Sequence, residues 1–364
     1  MTRLAPTTTS MAQYKAQMAR YWGLDKAASP TTEAVAEDVE GPAGGGTGAP
    51  SAPPAPGWAL VLRDNADYLL RTVLPVVWCC LLVIVMERET FLRDLFMPFL
   101  GVGAALLANT VPIGGGIVYV PMLQLLGEKI QLSVSFTLAT MTFGNGVFGF
   151  LHWLKTDASL IVWPSFAYTV LPSWAGSVIG ILVLPPVETY WIRKLFGVFS
   201  VVLGAYVAVL AYKAATSAAP SPALSSGSDS APAAAAALTD SQDFEHKWRV
   251  VAAISFFGGL ILVTNIGIGP ALITFILLGA DYMGYSHKQA IVTGIITGGW
   301  VCALPALLHF IVLRDVPLAL WVMVLPGVYF GAHLAPRFFE LVGLKNVLAG
   351  FCVFLFASSL LFLF

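Results

Sequence analysis

From Leu70 onward the chain alternates long apolar blocks with short polar turns. The blocks are 70–86, 96–126, 131–153, 159–184, 190–212, 250–279, 288–313, 317–334 and 346–364. A helix needs roughly 20 apolar residues to cross the hydrocarbon of a bilayer, so the pattern predicts an all-α polytopic membrane protein. Blocks 96–126 and 250–279 are too long for one straight span at about 1.5 Å per residue. Both contain a glycine-rich interruption.

The first interruption lies within Asn109–Gln124, where Pro112 precedes Gly114, Gly115 and Gly116. Proline lacks an N–H and glycine loses the most freedom on ordering, so a helix is expected to break there. A break within hydrocarbon leaves backbone groups without helical partners, at several kcal/mol each, so it must face protein, water or a ligand. The half-helix expected from Ile117 would turn its N–H groups and the positive end of its dipole into the gap, which suits an anion. Close packing of small residues against a neighbouring helix is the plainer use of such a stretch.

Before Leu70 the pattern changes. Residues 1–57 hold a basic start (Arg3, Lys15, Arg20) and a Pro/Gly/Ala-rich stretch with Glu33, Glu37, Asp38 and Glu40. This reads as a disordered N-terminal tail, solvated rather than an organelle transit peptide, and it lacks the apolar stretch of a secretory signal. Residues 58–95 are expected to form an extra transmembrane helix and loop, 96–212 a first unit and 248–364 a second. An Ala/Ser/Pro linker over 213–247 separates the units.

The two units look like copies. At an offset of 152, Gly115 falls on Gly267, Gly127 on Gly279, Glu188 on Glu340 and Arg193 on Lys345. With small gaps Asn109 meets Asn265, His152 meets His309, Asp157 meets Asp315, Trp163 meets Trp321 and Pro172 meets Pro326. Each copy is then a glycine-broken segment followed by three helices. If the broken segment dips in and returns, the copies are inverted; if it crosses once, they are parallel. With the N-terminus cytosolic, inversion places Lys155, Lys213, Lys247, Arg249, Lys288, Arg337 and Lys345 inside, and the positive-inside bias tilts narrowly that way.

Composition agrees. The chain is 57% hydrophobic and only 11% charged, with a mean hydropathy of +0.80, against about 25% charged residues in ordinary soluble domains. A net charge of −1 argues against a nucleic-acid partner, which would call for a clustered basic surface. Cys79, Cys80, Cys302 and Cys352 have no metal-ligand spacing, and Cys302 reads as a small apolar residue. No cofactor motif is present; the lipid bilayer is the expected surrounding, in a plasma or organelle membrane, and a homo-oligomer is left open.

The string Ile113-Gly-Gly-Gly-Ile-Val-Tyr-Val-Pro-Met-Leu-Gln-Leu-Leu-Gly127 resembles the signature of the sulfite exporter TauE/SafE-like membrane proteins. So does its sequel, a Gly-rich helix ending at His152-Trp153, a polar turn, then an apolar helix with Pro172 and Gly176. The likeness runs from about Phe96 to Phe364. It implies a permease for sulfite, sulfonates or other small organic anions. The chain departs from that pattern in its second copy, Thr264-Asn-Ile-Gly-Ile-Gly-Pro-Ala-Leu-Ile273, which lacks the glycine triplet, and in its front helix and tail.

Within the spans no Asp or Glu stands at mid-depth; Glu87, Glu128, Asp157, Glu188, Asp281, Asp315 and Glu340 sit at block ends. Carboxylate-based cation binding therefore lacks its ligands, and an anion held by neutral donors fits better. The candidate substrate-binding groups are the backbones of Gly114, Gly115, Gly116, Gly267 and Gly269 with the side chains of Asn109, Asn145, Asn265 and Thr297; Thr142 is a further donor. Interhelical hydrogen bonding is the competing role for each Asn or Thr. His152 and His309, with His333, are the groups at the membrane edge that could carry a proton near neutral pH, although an imidazole at a helix end also serves simply to satisfy carbonyls. Trp153, Trp163, Tyr190, Trp191 and Trp321 read as interfacial anchors.

The expected function is a secondary transporter of a small anion, working by alternating access around two broken helices. A channel, a non-transporting membrane protein and a membrane-embedded enzyme are the alternatives. No nucleophile–base pair supports the enzyme, and no phosphate-binding Gly-Lys-Ser/Thr loop supports direct use of ATP.

Overall fold

The computed structural model describes residues 55–110, 115–185, 187–216, 241–267, 271–279 and 282–364. Every regular element among them is helical. In chain order they are α1 (Gly57–Val85), α2 (Arg88–Arg93), α3 (Met97–Thr110), α4 (Gly116–Leu125), α5 (Ile130–Thr156), α6 (Phe166–Leu182) and α7 (Thr189–Thr216). Then follow α8 (Ser241–Gly258, carried on by Gly259–Val263 and Thr264–Ile266), α9 (Ala271–Leu278), α10 (His287–Leu308, carried on by His309–Leu313), α11 (Leu318–Val342) and α12 (Leu344–Leu363).

Seven of these are long and apolar enough to cross a membrane, in α1, α5, α7, α8, α10, α11 and α12. Within block 96–126 the described residues form α3 up to Thr110 and α4 from Gly116. At 1.5 Å per residue they measure about 21 and 15 Å, so neither alone covers a hydrocarbon core of about 30 Å. Block 250–279 likewise divides, with α8 ending at Gly267, whose φ of 65° is the left-handed cap that glycine adopts without strain. Helix extends past the expected boundaries at α1, which begins at Gly57, and at the linker, which α7 enters as far as Thr216 and α8 leaves at Ser241. The tail expected over 1–57 falls outside the described residues up to 54.

Several spans contain a widened π turn. In α1 it covers Leu69–Val73 and in α6 Phe166–Val170, each just before a proline, Pro75 or Pro172. A proline clashes with the carbonyl four residues back and cannot bond to it, and widening the turn relieves the clash. In α5 the π turn is Thr142–Gly149, where Gly144, Gly146 and Gly149 weaken the regular ladder.

Packing is close wherever glycines meet backbone. α5 and α10 cross at Gly146 and Gly299, where a methyl on Gly299 would lie 2.7 Å from Gly146 Cα. These two helices run antiparallel: near the start of α5 Ser135 Oγ donates to Asp315 O beyond α10 (2.9 Å), and near the start of α10 Gln289 Nε2 donates to Ser159 O beyond α5 (3.3 Å). α7 and α12 are antiparallel too, with Lys194 on Leu363 O and Gly204 beside Phe356. By contrast α3 runs parallel to α11, pairing Pro98 with Gly327 and Val102 with Gly331, and α6 runs parallel to α8, pairing Ser173 with Ser255 and Gly180 with Thr264. α5 is the central element: 83% of its apolar window is buried inside the chain, against none of α1's.

Candidate functional site

The fold brings α4 down against the middle of α5. From Gly116 to Pro121, and again at Leu123, every residue of α4 is buried, which a 10-residue helix with an internal proline achieves only inside a bundle. Its first turn is preceded by Gly115, whose N–H points at Met141 Sδ of α5 at 3.0 Å. A thioether is a weak acceptor, so this donor is only weakly engaged.

On α5, Thr137, Thr140, Met141, Gly144 and Asn145 recur at steps of three and four, which is one face of a helix. Thr140, Met141, Gly144 and Asn145 line a small cavity with Gly115 and Tyr119, closed by alanines of α3 (Ala104, Ala105, Ala108) and Val328 of α11. Its volume of about 10 Å³ is the room one water needs. Asn145 is 4% exposed, and neither its Nδ2 nor the Thr140 hydroxyl has a hydrogen-bond partner among the described residues. The Thr137 hydroxyl, one turn further along, is in the same condition. Buried polar atoms are nearly always paired, and each exception needs a reason. Among the described residues no acidic side chain lines the cavity, so the chemistry on offer there is hydrogen bonding by neutral groups.

The other expected residues are placed elsewhere. Thr297 is buried and donates to Thr293 O of its own helix at 2.7 Å. Asn265 donates to Ile261 O at 2.8 Å, and Thr142 to Leu138 O at 2.8 Å. Gly267 is buried against the backbone of Val134. Gly115 and Gly267 thus both lie on α5, at Met141 and at Val134, two turns or about 10 Å apart; of the two, Gly115 borders the cavity. Gly116 is buried as the first residue of α4. Gly114 and Gly269 lie outside the described residues, as does the side chain of Asn109. Thr297→Val and Asn265→Ala are therefore expected to leave substrate affinity within about threefold of the parent, since each loses a bond to its own helix and none to a ligand; uptake titrations in liposomes read this directly.

The two histidines matched in sequence sit in different surroundings. His309 is 7% exposed and its Nδ1 lies 2.8 Å from Asp315 Oδ1, a pair across the turn that ends α10. Its Nε2 is buried without a hydrogen-bond partner among the described residues. His152 meets Trp153 and, at 6.2 Å between ring centres, His333, while the matching Asp157 caps Ser159 instead. Asp315→Asn and His309→Gln are each expected to lower stability by about 1–3 kcal/mol, and the double variant by less than their sum. Thermal midpoints in detergent would show it.

A model of the family described as Sulfite exporter TauE/SafE matches residues 97–362. The chain belongs to the sulfite exporter TauE/SafE family. Searches of curated proteins and of solved structures found no match. Membership makes this TauE/SafE chain an integral, multi-pass protein of a family of membrane transporters rather than enzymes, and the seven apolar spans among its described residues agree. The matched region takes in α3 through α12 and leaves α1 and α2 outside. Among the described residues no group of three or more His, Cys, Asp or Glu side chains could hold a metal ion.

What composition did not single out is Thr140, Met141 and Tyr119. The signal was present as a polar stripe at helical spacing on an apolar span, but Ser133 prolongs that stripe away from the cavity and Ser135 offers a polar group on another face of the same helix. Only contact with α3 and α4 distinguishes the faces.

Proposed function

We propose that this TauE/SafE chain is a secondary transporter of a small anion, sulfite, a sulfonate or a related organic anion, with its binding site in the cavity between Gly115 and Asn145. The observation that carries the reading is that Asn145 and Thr140, whose buried amide nitrogen and hydroxyl have no partner among the described residues, line one small cavity with the weakly engaged Gly115. Such donors compensate the lost hydration of an anion without a fixed counter-charge.

The same reading takes residues 96–212 and 248–364 as inverted repeats. Its support is directional: α5 and α10, equivalent in the two units, run antiparallel, as do α7 and α12. The non-equivalent pairs α3–α11 and α6–α8 run parallel in a reciprocal exchange between the units. Alternating access then consists of one unit rocking on the other about the Gly146–Gly299 crossing. The cavity holds no more than a water in this closed arrangement, which favours a carrier that opens to admit its anion over a standing channel.

Counterflow tests this. Liposomes loaded with unlabelled sulfite, thiosulfate, an alkyl sulfonate or a small carboxylate should accumulate the labelled form transiently for the true substrate class. A flux that only equilibrates, with no overshoot for any of them, would reject the carrier.

A further inference from the structure

α1 lies outside the matched region, and none of its apolar window is buried. It is nonetheless attached to the body at two levels. Near its start Trp58 packs edge-on against Trp163 with 5.6 Å between ring centres, and Asp67 pairs with Lys155 at the end of α5. Further along, Trp78 Nε1 donates to Val322 O of α11 at 2.7 Å.

Alongside these attachments runs a trough of about 290 Å³, walled by Leu70, Leu74 and Leu81 of α1, Phe148 of α5, and Leu325 and Phe330 of α11. Val77, 47% exposed, stands on its lip. From Leu70 to Leu81 the wall is about 16 Å long, close to the roughly 15 Å of hydrocarbon in a single leaflet. One end is charged. Asp67 takes both Lys155 and, at 3.7 Å, Arg71, so two cations share one carboxylate. His152 and His333 stand at the same level, on the final turns of α5 and beside Tyr329 of α11.

We propose that this trough holds one acyl chain of an anionic glycerophospholipid, with the headgroup phosphate at Arg71 and Lys155. A trough at hydrocarbon depth faces lipid tails and no soluble partner, its apolar walls have nothing to offer a small hydrophilic anion, and its length ends where one leaflet ends. Arg71 and Lys155, sharing Asp67 between them and with Asp157 the nearest further acid in sequence, stand where a headgroup would sit and favour a phosphate that carries no compensating cation. The lipid fills the gap that a helix added outside the transporter body leaves, and couples α1 to α11, one wall of the cavity at Val328.

The test uses the full chain in mild detergent, equilibrated with phosphatidylglycerol or phosphatidylcholine and read by native mass spectrometry. The parent should retain one phosphatidylglycerol about tenfold more than phosphatidylcholine. Arg71→Gln with Lys155→Gln should remove that preference, and Leu74→Trp, which fills the trough, should remove retention of both lipids. Val77→Phe gives the same reading from the lip if Leu74→Trp does not fold. Equal retention of both headgroups by the parent would mark annular lipid only and overturn the proposal, as would retention untouched by both filling variants. Lipid that binds only after removal of residues 1–54 would show that the chain's own tail occupies the trough, and would overturn it too.

Discussion

Gly299→Ala is expected to leave little correctly folded protein. The added methyl would press on the Gly146 backbone, 2.7 Å from its Cα and from the carbonyl carbon of Asn145. Neither is the end of a flexible side chain that could swing away, so α5 and α10 would have to separate. Overpacking in a well-packed interior typically costs about 1–3 kcal/mol, and contact with backbone on a buried central helix belongs at the upper end. Gly103→Ala is the matched control: no atom lies within 4 Å of its added methyl, and alanine is the better helix former by up to about 1 kcal/mol. Size-exclusion profiles and thermal midpoints in detergent should show Gly299→Ala aggregated or strongly lowered, and Gly103→Ala unchanged or slightly raised. A parent-like midpoint for Gly299→Ala would mean that the two helices do not cross there.

Asn145→Leu should do the reverse, removing transport while sparing the fold. A hydrogen bond to a charged group is worth about 1.5–3 kcal/mol, so losing this donor should weaken apparent substrate affinity by roughly ten- to a hundredfold. The fold loses no bond at Nδ2, because that group has no partner among the described residues. Replacing a buried, unpaired donor by a side chain of similar size should leave the thermal midpoint level or higher. Thr140→Val should behave in the same way on a smaller scale. A variant that unfolds more easily yet transports normally would make Asn145 a structural residue and remove it from the site.

These two results separate what the small residues do. Gly146 and Gly299 permit helix contact, the role that small residues commonly play in membrane bundles. Gly115 also packs closely, against Tyr119 and Met141, but it borders the cavity and gives its N–H only to the weak acceptor Met141 Sδ. Sequence places all of them in similar Gly-rich strings and cannot divide the roles. The same holds for the matched pairs. His152 and His309 are equivalent by alignment of the two units, yet only His309 has a carboxylate partner. Gly115 and Gly267 are equivalent as well, yet one borders the cavity and the other is capped in a left-handed turn against Val134.

Direction was equally beyond local reading. Loop charges are nearly balanced between the two sides, so the positive-inside bias is weak for this chain. Two hydrogen bonds at opposite ends of one crossing, Ser135 to Asp315 and Gln289 to Ser159, orient α5 against α10.

By itself the amino-acid order determined the helical class, the apolar spans and the family. These depend on terms local to a few residues: transfer of side chains into hydrocarbon, the missing N–H of proline, the freedom of glycine. Tertiary structure alone decided which face of α5 receives α4, that Thr140 and Asn145 share a cavity with Gly115, and that Thr297 and Asn265 are spent on their own helices. Those outcomes sum many weak contacts between segments far apart in the chain, and no short window of residues contains that sum.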